Sequence, residues 1–138
     1  EGDYDGAFEY FTKAADLGYL MAHHQLGIMY YRGKGVEKDE EKEVYHHEKA
    51  AIGGHPVARY ALALFEEEKD NIERAVKHHI IAANLGYDLS MKALWKHYSL
   101  GDITKEDLDA TLRTHHAAID EMKSPEREAS YPFLELEL

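Results

Sequence analysis

The pattern Ala-Ala-x-x-Gly occurs three times in this chain, at Ala14-Ala15 with Gly18, Ala50-Ala51 with Gly54, and Ala82-Ala83 with Gly86. The intervals are 36 and 32 residues. A second set keeps the same register, with Ala22, Ala58 and Ser90 followed by Leu26, Leu62 and Leu94. Self-similarity at such a period means that one supersecondary unit is stacked repeatedly, because no single unit can bury its own apolar face.

Each period holds two helical patterns. Adjacent alanines let a neighbouring helix approach closely, and Gly18, Gly54 and Gly86 suit the left-handed residue that stops a helix. Pro56 is placed for a first helical turn. Asp70 with Glu73 and Thr104 with Asp107 resemble capping pairs. Apolar residues recur at helical spacing, as in Ala22, Leu26, Met29 and Tyr30, and read as a core stripe. Seven helices are expected, near 4–17, 20–32, 40–53, 56–68, 71–85, 88–100 and 105–123.

The stretch Ala22-His23-His24-Gln25-Leu26-Gly27-Ile28-Met29-Tyr30-Tyr31-Arg32-Gly33-Lys34-Gly35-Val36-Glu37-Lys38-Asp39, closed by Lys49-Ala50-Ala51-Ile52-Gly53-Gly54, resembles the Sel1-like repeat family. The resemblance runs in degenerating form from about residue 4 to 123. It implies an all-α fold, a right-handed α-solenoid of stacked antiparallel helix pairs with about three repeats and a leading helix. The units are expected at 1–18 (partial), 19–54, 55–86 and 87–123 within a solenoid spanning 1–128, followed by a tail at 129–138.

Departures from the pattern are local. The second unit replaces the Gly-x-Gly-Val turn with Glu66-Glu67-Glu68-Lys69-Asp70, read as a solvated turn, and the third carries Trp95 in place of glycine. An indole there requires a helix shift or an outward ring. The last unit has Glu121 where glycine would stop the helix and is expected to end at Ser124-Pro125, closing the array. The first helix starts almost at once after Glu1, so the chain is expected to be a fragment with a missing upstream partner helix. The alternating Leu and Glu of residues 131–138 read as a disordered end, the alternative being an extended strand that docks on a groove or a neighbouring chain.

Composition narrows the partners. With 16 Lys plus Arg against 27 Asp plus Glu the formal charge is −11, which disfavours nucleic acid and anionic membranes. No apolar run reaches the length of a membrane span. Without cysteine, disulfides and thiolate metal sites are excluded and nothing requires an oxidising compartment, so a cytoplasmic location is expected.

No catalytic role is expected. Ser90, Ser99, Ser124 and Ser130 lie in no nucleophile-elbow sequence, and Gly33-x-Gly35 lacks the rest of a phosphate loop. Ten histidines include the doublets His23-His24, His46-His47, His78-His79 and His115-His116, yet none are three or four residues apart, the spacing of a one-helix metal pair. His46-His47 and His78-His79 occupy equivalent positions 32 residues apart, so a cross-helix site is conceivable, but packing is the expectation and no metal or cofactor is assigned.

The resemblance therefore implies a scaffold or adaptor that binds a protein or peptide partner, the alternatives being a structural spacer and a histidine-dependent metal-binding protein. By analogy with tetratricopeptide solenoids, the first helix of each pair lines the concave face. That register selects His24, Ile28 and Tyr31, then Tyr60, Leu64 and Glu67, then Lys92 and Lys96. Tyr31 and Tyr60 would supply apolar contact, and Lys92 and Lys96 would meet an acidic segment or a terminal carboxylate. Tyr30 and Tyr98 match the family's core tyrosine and are left out of the site.

Overall fold

The computed structural model describes residues 3–123. Among these residues there are seven helices and no strand: α1 (Tyr4–Asp16), α2 (Leu20–Arg32), α3 (Glu40–Ile52), α4 (Pro56–Glu68), α5 (Ile72–Asn84), α6 (Asp88–Ser99) and α7 (Lys105–Met122). Every boundary falls within one residue of its expected position. The expected stop at Ser124-Pro125 and the tail at 129–138 lie outside the described residues.

The starts and stops follow from local hydrogen bonding. Asp3 Oδ1 accepts from the Gly6 amide at 2.8 Å, Asp39 Oδ1 from the Lys42 amide at 3.1 Å, and Thr104 Oγ1 from the Asp107 amide at 3.1 Å. Each satisfies an amide that the first helical turn leaves unpaired. At the head of α3 the carboxylates Glu40, Glu41 and Glu43 also face the positive end of the helix dipole. His55 caps α4, its Nδ1 accepting from the Ala58 amide at 3.1 Å, and Pro56 occupies the first turn as expected.

Asp70 does not act as a cap. It takes φ +63, the left-handed position that glycine fills after the other first helices, Gly33 after α2 and Gly101 after α6, and Asn71 is the residue that precedes α5. Asn71 Nδ2 donates back to Glu66 Oε1 at 2.9 Å. Losing four residues from this connection leaves room for a single left-handed residue, which an aspartate tolerates better than most side chains.

The repeat register is the core register. Ala22, Ala58 and Ser90 are buried, as are Leu26, Leu62 and Leu94, and so are Ala50, Ala51, Ala82 and Ala83. They gather into three clusters, each spanning a junction between one unit and the next. The first joins Ala15 to Ala22 and Leu26, the second Ala50 and Ala51 to Ala58 and Leu62, and the third Val76 and Ala83 to Met91, Leu94, Ile103 and Leu108. The result is an α-solenoid of stacked helix pairs in which α1 packs on α2, α2 on α3, α3 on α4, and so on to α7, with α5 also meeting α7.

Two aromatic positions depart from expectation or resolve it. Trp95 turns outward, half exposed and edge-on to Tyr98. Tyr98, expected in the core, is 38% exposed, and the neighbouring His97 takes the buried place at 6%. Tyr30, by contrast, is buried against Phe8 as expected.

Candidate functional site

The α2–α4 face forms a groove of about 590 Å³. His24, Ile28, Tyr31 and Arg32 enter it from α2, Glu43 and His47 from α3, and Ala61, Leu64, Phe65, Glu67 and Glu68 from α4. Helices α2 and α4 are the first helices of successive units, so their outward stripes lie on the same side of the stack. The structure thus brings together five of the expected residues, His24, Ile28, Tyr31, Leu64 and Glu67.

The other three lie elsewhere. Tyr60 is half-buried, its ring 5.3 Å from Tyr87 and 5.6 Å from His79, so it packs towards α5 and α6. Lys92 and Lys96 are exposed on α6, with Lys92 Nζ 3.9 Å from Asp88. The α2–α4 groove itself carries three glutamates against one arginine.

Its residues divide into exposed and buried sets. Tyr31 and Leu64 are exposed, and Lys38 Nζ sits 5.4 Å above the Tyr31 ring. His24 and His47 are buried, 5.2 Å apart between ring centroids, with His55 4.7 Å from His24. Burial pushes His24 down to about 4, and the neighbouring His55 adds to the effect. Burial likewise holds His47 at about 4, helped by His24, His46 and His55, because a cation there would be desolvated and surrounded by other would-be cations. Glu43 shifts the other way: burial, then Glu40 and Glu68, raise it.

Sequence reasoning missed His47 because the first-helix register does not select residues from α3. The doublets held a usable signal, since the second histidines His47 and His79, at equivalent positions of successive units, are both buried. The first histidines instead meet the preceding helix: His46 Nδ1 lies 3.0 Å from His23 Nδ1, and His78 Nδ1 lies 3.4 Å from an Arg59 guanidinium nitrogen.

Glu67 is not the solvated residue that its Glu-Glu-Glu context suggested. Its Oε2 lies 3.0 Å from His79 Nε2 and 2.7 Å from His97 Nε2. His97 Nδ1 in turn lies 2.8 Å from Asp102 Oδ2, and His79 Nδ1 lies 3.3 Å from Ser90 Oγ. Burial opposes the charged form of His97, but its bonds to Asp102 and Glu67 outweigh that and raise its pKa. For His79 burial prevails over the Glu67 bond and the pKa falls. Burial acts to raise Glu67, and the bonds from His97 and His79 reverse the direction.

The family model described as Sel1 repeat matches residues 1–19, 20–55 and 56–87. A rat protein, DAP3-binding cell death enhancer 1, is 46% identical over 43 residues, covering 31% of this chain and 8% of that protein. A putative sel1-like repeat-containing protein, L21, of Acanthamoeba polyphaga mimivirus is 27% identical over 101 residues, covering 72% of this chain and 18% of its own length. The chain therefore spans a small part of these relatives. Among solved structures, c5321, a protective antigen of uropathogenic Escherichia coli with an SLR fold, superposes with a TM-score of 0.70 at 28% identity, over 86% of this chain and 26% of the other. A Sel1 repeat protein from Oxalobacter formigenes gives 0.69 at 25% identity, over 86% and 50%.

Proposed function

Because the chain belongs to the Sel1 repeat family, we propose that it is a protein-interaction module whose α2–α4 groove takes a peptide segment of a protein partner. The observation that carries this reading is the convergence of outward side chains from two successive first helices, Ile28 and Tyr31 with Leu64, on one groove. Exposed Tyr31 and Leu64 flank an apolar floor of Ile28, Ala61 and Phe65, while Glu43, Glu67 and Glu68 supply negative charge. A segment with an apolar anchor beside a lysine or arginine fits that chemistry. Where the segment continues along the first helices to α6, Lys92 and Lys96 favour an acidic residue or a terminal carboxylate.

Selection of a random peptide library on the protein tests the reading. Recovered peptides are expected to share an apolar residue next to a basic one. Tyr31→Ala and Leu64→Ala should each weaken their binding roughly 30-fold, the equivalent of about 2 kcal/mol for an interface anchor. Both side chains are exposed, so the melting temperature should stay within error of the parent. Enriched peptides indifferent to both substitutions would refute the groove, and absence of enrichment would favour a spacer role.

A further inference from the structure

Glu67, His79 and His97 come from three successive helices, α4, α5 and α6, and one oxygen or nitrogen from each lies within 4.8 Å of the others. Both imidazoles present Nε2 to the same carboxylate oxygen, while each Nδ1 faces an outer acceptor, Asp102 Oδ2 for His97 and Ser90 Oγ for His79. Without a cation each Nε2–H donates to Glu67, and because the outer acceptor can hold Nδ1–H, loss of the Nε2 proton leaves a lone pair pointing inward. That is how imidazoles are held when they ligate a cation. The charges agree as well. Two carboxylates, Glu67 and Asp102, flank the two buried rings, and a divalent cation at their centre would balance both.

The repeat marks this constellation as an intrusion into packing. In the register of the first helices, His97 stands where the earlier units place Met29 and Phe65, and Glu67 stands where the preceding unit places Tyr31. A buried histidine at an apolar packing position, met by a carboxylate from the neighbouring unit, is not required for stacking.

We propose that Glu67, His79 and His97 bind a divalent transition-metal cation, zinc by their donor set, with Asp102 and Ser90 orienting the two imidazoles. Two nitrogens and one oxygen suit zinc, with metal–ligand distances of about 2.0–2.2 Å. Tetrahedral placement at those distances separates the ligand atoms by about 3.3 Å, more than the present 3.0 Å to His79 and 2.7 Å to His97, so the Glu67 carboxylate has to draw back from both rings. Its side chain is 29% exposed and has the freedom to do so. A fourth position remains for water or a partner's donor atom. The proposal stands on these five side chains and does not rest on peptide binding in the groove.

Calorimetric titration of the metal-stripped full chain with zinc chloride is the test, with cobalt(II) substitution to read coordination from visible absorption. One zinc per chain is expected, together with a tetrahedral cobalt spectrum and a raised melting temperature. Glu67→Gln should abolish the stoichiometric binding and the spectrum. Asp102→Asn should weaken zinc by about 10- to 100-fold, as loss of an orienting carboxylate does elsewhere. His116→Gln, at an exposed histidine outside the cluster, should change neither. Circular dichroism of the conservative Glu67 and Asp102 variants guards against misfolding. Failure of the parent to take up one zinc, or uptake that Glu67→Gln and Asp102→Asn leave unaltered, would overturn the assignment.

Discussion

Gly27 sits in the middle of α2, where a helix interior ordinarily favours alanine by about 1 kcal/mol. Its place is explained by His47. A Cβ added at Gly27 would lie 2.6 Å from His47 Cε1, 2.7 Å from Nε2 and 2.8 Å from Nδ1. Carbon atoms settle at about 3.5–4.0 Å, so the ring would have to retreat by about 1 Å. His47 is 4% exposed and faces His24, which leaves little room for that movement. Overpacking of this kind costs about 1–3 kcal/mol, so after the propensity gain Gly27→Ala should destabilise by about 1 kcal/mol net. In a His47→Ala background the obstacle is gone, and the same change should stabilise by up to about 1 kcal/mol. The two substitutions are then coupled by about 2 kcal/mol. Urea unfolding of the four proteins, at a pH where the histidines are neutral, measures each term. Coupling below about 0.5 kcal/mol would show that the ring accommodates a methyl group and would refute the reasoning.

Gly54, at φ +99 with open space around its α-carbon, should lose about 1–2 kcal/mol on Gly54→Val from backbone strain alone, measured by urea unfolding. Asp70→Gly relieves the left-handed residue at φ +63 and should raise stability by up to about 1 kcal/mol, seen as a higher urea midpoint. Acid should destabilise the fold. His47 titrates near 4 when folded and at about 6.5 when unfolded, so the unfolded chain binds the proton first and stability falls as pH drops from 6.5 towards 4. His47 by itself contributes about 3 kcal/mol to that loss, with His24 and His46 acting in the same direction. A urea midpoint that stays constant across this window would contradict the buried neutral cluster.

Helix positions were legible in the sequence because Ala-Ala, the following glycine and the Leu of the next helix each report a physical requirement: close approach, chain reversal and burial. The same logic misassigned Asp70, since an acidic residue before a helix fits both a cap and a left-handed turn. Tyr98 misled for a related reason. Register alone cannot tell which of two adjacent ring-bearing residues, His97 or Tyr98, turns inward when Trp95 replaces a glycine and its ring turns out to solvent. At the groove, the first-helix register found Ile28, Tyr31 and Leu64, which project from the expected stripe. It could not find His47 from α3, nor foresee that Glu67 would be claimed by two imidazoles from the next helices.

The neighbour-to-neighbour packing of α1 through α7 bears on how quickly the chain reaches its fold. Strong contacts join consecutive helices, and α5 with α7 skips only one. Short loops close at low entropic cost, so the average sequence separation of native contacts is small and the barrier to folding is correspondingly low. Folding on the submillisecond to millisecond scale is the consequence. Because α1 lacks a helix on its outer side among the described residues, amide exchange should be fastest there and slow towards α4 and α5, whose contacts extend in both directions.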